Sequence, residues 1–230
     1  MLIVRFACII GAFAMSSAAT AQTQQPSPGL PPPGRPVARI VSPAWDNEPS
    51  RDSAGEFAAV TAAAGIKPGM TVADIGAGSG YYTTRLSAAV GPQGQVLAQD
   101  VVKRYLDALA RRVREEKLTN VRFVRGTQSN PRLPAGSVDV ALMVHMYHEI
   151  TQPYALLHRL RTSLKPGGRI AIVDLDRDPE NHGMPRDLLV CEVRAVGYEL
   201  VKITDLAAGY LAVFKLGPPK APQSVKACRR

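Results

Sequence analysis

Asp74, Gly76, Gly78 and Gly80, set at alternate positions, carry the first chemical signal in this chain of 230 residues. Apolar Val72, Ala73 and Ile75 surround the acid, and Tyr82–Val90 reads as a helix. A short buried strand running into a glycine turn and a helix amino terminus is how a doubly wound sheet binds a nucleotide-like ligand. Glycines let the backbone pass close to such a ligand and adopt positive φ without a Cβ clash. The stretch Gly76-Ala77-Gly78-Ser79-Gly80 is therefore the binding candidate. A dinucleotide turn needs Gly-x-Gly-x-x-Gly, with its third glycine at position 81. Position 81 is Tyr81, which disfavours a nicotinamide-dependent dehydrogenase.

A second cluster could move protons. His145, Met146, Tyr147, His148 and Glu149 directly follow the apolar run Ser137–Val144. At the carboxyl end of a central strand they border the place where doubly wound folds hold ligands. His145 is the first candidate to position or deprotonate a substrate, with Tyr147 and His148 next. The competing reading is that one histidine caps the following helix or packs under the loop. A His145/His148 metal pair lacks a clear third ligand, so no metal is expected.

The elements that would position these residues alternate. Ser53, with Glu56 three residues on, reads as a capping box for a helix to Ala64. Strands follow at Met70–Ile75, Gln95–Asp100, Asn120–Arg125, Ser137–Val144 and Ile170–Asp174. Helices are read at Gly80–Val90, Lys103–Lys117, Thr151–Leu164 and Arg186–Val196. Tyr198–Thr204 and Gly209–Leu216 then close as a hairpin. Such alternation predicts an α/β fold with a mostly parallel, doubly wound, Rossmann-like sheet. Asp100, at the tip of the strand next to the glycine turn, is placed to accept hydrogen bonds from ribose hydroxyls. Capping of the following helix would use the same position.

Four pieces together resemble the class I S-adenosylmethionine-dependent methyltransferases of the small-molecule type. They are Val72–Gly80, Gln95–Asp100, Leu133-Pro134 with Ser137-Val138-Asp139, and Leu164–Asp174 with its Lys165-Pro-Gly-Gly-Arg169 turn. The resemblance covers roughly residues 53–216. It implies a seven-stranded sheet of order 3-2-1-4-5-7-6 with strand 7 antiparallel, and S-adenosyl-L-methionine as cofactor. It also implies that Gly76–Gly80 approaches the methionine moiety, that Asp100 holds the ribose and that Asp74 orients the turn or meets the ammonium through water. After strand 3 the family usually offers an acid to the adenine. Here the loop Gly126–Pro131 has none, and Asn130 or Gln128 would accept that hydrogen bond as neutral groups.

The methyl acceptor is reached by elimination. No Asn-Pro-Pro-aromatic run and no Pro-Cys pair follows strand 4, which disfavours adenine-N6, glutamine and pyrimidine carbon-5 methylation. A small-molecule acceptor remains, with a non-catalytic S-adenosylmethionine-binding or scaffold protein of the cell envelope as the alternative. Net charge is +9, yet the basic residues are scattered. The densest stretch, Lys103–Lys117, also holds Asp107, Glu115 and Glu116 and has its apolar residues at helical spacing. It reads as a solvated helix face, so no nucleic-acid partner is expected.

Flanking segments read differently. Residues 1–21 carry one base (Arg5), the apolar run Phe6–Met15 and a closing Ala19-Thr20-Ala21, the pattern of a secretory signal. The run is too short for a permanent span, so no stable membrane span is expected after cleavage. Export to the periplasm or medium is the expectation. An uncleaved anchor is second, and a cytoplasmic protein starting at Met15 is third. Residues 22–52 read as a Pro-rich linker and amino-terminal arm, with Trp45 packing the arm on the domain or capping the cofactor site. Residues 217–230 read as a flexible tail. Cys191 and Cys228 fit no metal spacing and could pair in an oxidising compartment, but no essential disulfide is expected with Cys228 in that tail.

Overall fold

The computed structural model describes residues 29–41 and 48–229. The signal reading, the first part of the linker and Trp45 lie outside the described residues. One sheet organises the rest, in the order β3-β2-β1-β4-β5-β7-β6. Its strands are β1 (Thr71–Ile75), β2 (Gln95–Asp100), β3 (Val121–Arg125), β4 (Val138–Val144), β5 (Leu164–Asp174), β6 (Tyr198–Asp205) and β7 (Tyr210–Leu216). The first five run parallel, and β7 pairs antiparallel with both β5 and β6. Order and direction match the expectation from the sequence.

The central strands are apolar on both faces, as a sheet covered on both sides requires. Val140, Ala141, Leu142 and Met143 of β4 are all fully buried. On one face lie α2 (Glu56–Ala64) and α3 (Tyr81–Val90), with Val60, Tyr82, Leu86 and Val90 packed over Val72, Val96 and Leu142. On the same side α4 (Lys103–Glu115) lays Leu109 and Val113 on Ala98. Its outward residues form i,i+4 pairs, Lys103–Asp107 and Arg112–Glu116, the solvated face read from the sequence. The other face is covered by α5 (Pro153–Leu160) and α6 (Arg186–Ala195), through Tyr154, Leu157, Leu189 and Val193.

Three local expectations are corrected. Ser53 does not cap a helix: it ends α1 (Glu48–Ser53), where its Oγ donates to the Pro49 carbonyl at 2.8 Å, and α2 starts instead from Gly55 at φ 65°. The cause is Asp52, which accepts from Tyr81 Oη at 2.9 Å and pairs with Arg85, drawing α1 onto the domain. Residues 29–41 are no free tether either. Arg35 is buried and ion-paired with Glu192 at 3.0 Å, and the Ala38 amide donates to the His148 carbonyl at 3.1 Å.

The tail beyond β7 is likewise packed rather than loose. Cys228 is disulfide-bonded to Cys191 of α6, its amide donates to Tyr154 Oη at 2.7 Å, and Arg229 bridges to Gly34. Val225 and Cys228 are both buried. Two buried apolar residues and one covalent bond hold a segment whose polar composition suggests disorder.

Candidate active site

The carboxyl ends of β1, β2, β4 and β5 share one edge of the sheet, and the strand order reverses between β1 and β4. A crevice opens there by construction. The cleft has about 1050 Å³ of open space including its solvent mouth.

One wall is the glycine turn. The amides of Gly76 and Ala77 both donate to the Gln99 carbonyl, at 2.8 and 2.9 Å, which folds the chain over the tip of β2. Gly76 has φ 73°, and a Cβ there would stand 2.8 Å from Met146 Cγ. A side chain would therefore be strained and would fill the crevice. Gly80, at φ 89°, starts α3 and would meet Leu109 Cδ1 at 2.1 Å if it carried a Cβ. Its glycine serves helix packing, since Gly80 does not line the cleft. Gly76, Ala77, Gly78 and Ser79 do.

Two acids sit beneath the turn. Asp100 accepts from the Gly78 amide at 3.0 Å and the Val102 amide at 2.8 Å. It thus braces the turn and the residue before α4 without capping the helix, whose cap position has no side-chain bond. Burial raises its pKa against the opposing pull of those amides. Asp74 accepts from Thr83 Oγ1 at 2.6 Å, and burial, reinforced by the nearby Asp100 charge, outweighs that bond and pushes its pKa to about 6. Across the cleft, burial lifts Glu149 to about 7, with Asp100 and Asp174 adding repulsion. Asp100 thus repels both Asp74 and Glu149 around one crevice, a charge pattern that favours a cationic guest.

The loop after β4 divides its residues. His145, Met146 and Glu149 line the cleft; Tyr147 and His148 do not. His145 is held at φ 52°, an uncommon conformation for a residue with a Cβ, and such strain clusters at functional sites. Burial lowers its pKa, so the imidazole is neutral near pH 7, and Nδ1 is buried with no hydrogen-bond partner among the described residues. Tyr147 is fully buried, with its Oη donating to Glu192 at 3.0 Å. His148 points its Nδ1 at both oxygens of buried Asp174, each at 3.0 Å. Tyr147 and His148 therefore act inside the core rather than at the cleft wall.

Asn130 also lies off the lining; its Oδ1 accepts the Arg132 amide at 2.8 Å. Thr127 and Gln128 line the cleft in its place. Sequence reasoning missed the aromatic wall of Tyr81, Tyr82 and Tyr105 and the guanidinium of Arg51, 4.0 Å from the Tyr81 ring centre. Tyr81 was visible as the residue that breaks the dinucleotide spacing. Arg51 had no such signal, since α1 brings it in from outside the glycine turn.

Residues 72–168 match the methyltransferase domain family. With the sheet order above, this stretch is similar to methyltransferase domains of the class I fold, whose cofactor is S-adenosylmethionine. Over 106 residues the chain is 28% identical to the demethylmenaquinone methyltransferase of Lactococcus lactis, covering 46% of this chain and 42% of the relative. Over 114 residues it is 28% identical to the ubiquinone/menaquinone biosynthesis C-methyltransferase UbiE of Vibrio campbellii, covering 49% and 44%. The chain thus spans less than half the length of these curated relatives. A crystal structure of a SAM-dependent methyltransferase from Aquifex aeolicus superposes with a TM-score of 0.68 at 25% identity, covering 72% of this chain and 92% of that one. Aeropyrum pernix fibrillarin, solved with natively bound S-adenosyl-L-methionine, shares the fold at a TM-score of 0.52 and 17% identity, covering 69% of this chain and 74% of that one.

Proposed function

We propose that the chain is an S-adenosylmethionine-dependent methyltransferase acting on a small, largely apolar acceptor whose accepting atom carries a proton. The observation that carries this reading is the convergence of Asp74, Asp100 and Glu149 on the cleft beside a positive-φ glycine turn. These residues fit the cofactor. Gly76–Ser79 would take its methionine end, Asp100 its ribose hydroxyls and Asp74 its ammonium, and the carboxyls complement its positive sulfur. When bound, the cofactor supplies a methyl group on a charged sulfonium, a leaving group that needs no acid.

The chain's own residues would do the remaining work. Ile40, Met146, Ile150 and Leu156 give the cleft an apolar lining that excludes water, and Tyr81, Tyr82 and Tyr105 offer flat faces to a ring. His145, neutral and unpartnered at Nδ1 among the described residues, would hold or accept the acceptor's proton. Likeness to the quinone-pathway C-methyltransferases supports a cyclic acceptor. Titration calorimetry with S-adenosylmethionine tests the site: the native chain binds, and Gly78→Asp, which adds a fourth carboxylate at φ 54°, does not. Transfer of labelled methyl to a cell extract then tests turnover. Binding without transfer would favour the scaffold reading instead.

The reading extends to location. The Ala19-Thr20-Ala21 pattern and the Cys191–Cys228 pair both suit export to an oxidising compartment. A mature protein beginning at Gln22 supports this, and one beginning at Met15 or Ser16 argues for the cytoplasm.

A further inference from the structure

The loop residues that turn away from the cleft form a second constellation. His148 Nδ1 faces the Asp174 carboxylate at 3.0 Å to each oxygen, and Asp174 is itself fixed by the Leu175 amide at 2.8 Å. A carboxylate at Nδ1 sets the tautomer: the proton sits there, and Nε2 keeps its lone pair. That Nε2 is buried and has no hydrogen-bond partner among the described residues. A buried acceptor left unmatched forfeits the hydration it would have in water, which makes an unassigned partner worth seeking.

Two further donors meet it. His182, in the loop after β5, stands edge-on to His148 with ring centres 5.5 Å apart. Glu149 is the next residue along the 3₁₀ turn Tyr147–Glu149, and one of its oxygens accepts the Val41 amide at 3.1 Å. The ligand atoms of His148, Glu149 and His182 all lie within 4.8 Å of one another. Ligands on one tetrahedral zinc ion, with bonds of about 2.1 Å, stand roughly 3.4 Å apart. The set therefore closes on an ion by side-chain movements on the order of 1 Å.

We propose that His148 Nε2, His182 and the Glu149 carboxylate form a binding site for a divalent transition-metal ion of the zinc type. Two imidazoles and one carboxylate are borderline-hard ligands suited to such ions, and three protein ligands leave a position open. Asp174 is the outer partner that orients His148, the arrangement usual around metal-bound histidine. Because Glu149 also lines the cleft, the ion would add a positive centre beside the proposed acceptor region. The site does not depend on the methyltransferase reading, since metal binding is measured without cofactor or acceptor.

The test is equilibrium dialysis of the tag-free, chelator-treated full chain against Zn²⁺, with Co²⁺ as a visible-absorbing substitute. The expected result is one ion per chain and a Co²⁺ ligand-field band. His182→Ala should weaken binding at least about tenfold, and Asp174→Asn about 10–100-fold. His158→Ala, which changes the one histidine outside these two clusters, should leave it intact. Circular dichroism checks that each variant is folded; should Asp174→Asn unfold, the loop variant His182→Ala still decides. No bound ion in the native chain, or full binding by a folded His182→Ala, overturns the proposal.

Discussion

The two sides of the loop after β4 are built on different principles, although they alternate within five residues. His145 and Met146 meet the cleft with few polar partners and a strained backbone. Tyr147 and His148 are tied down from within, His148 Nε2 apart: Tyr147 Oη binds Glu192, Arg35 donates to the carbonyls of both residues, and His148 Nδ1 binds Asp174. The cleft side keeps reactive groups unsatisfied, and the interior side supplies the rigidity that holds them so. Preorganisation of this kind needs both halves.

Breaking the interior half should have the largest effect. Arg35→Ala leaves the fully buried Glu192 carboxylate without its cation, so unfolding stability should drop by about 3–5 kcal/mol, read from urea denaturation. Retained stability would show that the arm merely rests on the domain. Next is the cleft half. His145→Ala should lower turnover about 100-fold, roughly 3 kcal/mol in the barrier, with the melting temperature and the calorimetric affinity for S-adenosylmethionine almost unchanged. A parallel loss of stability would merge the two halves into one.

Asp74 sharpens the contrast because it lines the cleft yet has interior burial. Its carboxyl rises from 3.8 to about 6 on folding. A raised acid stabilises the fold fully below the unfolded value, and that contribution is lost as pH climbs through the folded value. Native stability should therefore fall by on the order of 2–3 kcal/mol between about pH 4 and pH 6 from this group alone. Asp74→Asn should flatten that slope in melts of the ligand-free protein across the same window.

The cofactor side of the fold was legible because its signals are local. Glycine spacing, the strand before it and Asp100 at the tip of the next strand depend on neighbours in sequence. The loop was only half legible. Its position after β4 follows from topology, but the turn of His145 to φ 52° and the 3₁₀ turn after it break the two-residue alternation that would have sorted its side chains. Asn130 went astray for a similar reason: a two-residue difference in a loop decides whether a side-chain amide meets the cleft, as Gln128 does, or a nearby backbone N–H. His182 and Arg51 come from distant segments, and no spacing rule reaches them. The packed tail was illegible because its few apolar residues count only once Tyr154 and Cys191 are in place.

The seating of Arg35 has a consequence for the order in which the molecule is assembled. The arm that carries it lies early in the chain, yet Glu192 belongs to α6, and Gly34 pairs with Arg229, beyond the last strand. A segment made early must therefore wait for partners made late, and contacts of such long sequence separation form slowly. Until then Glu192 is an uncompensated charge on the face of a nearly finished sheet, and Tyr147 lacks its fixed neighbour. The candidate active site should mature last, after the sheet on which it rests has already formed.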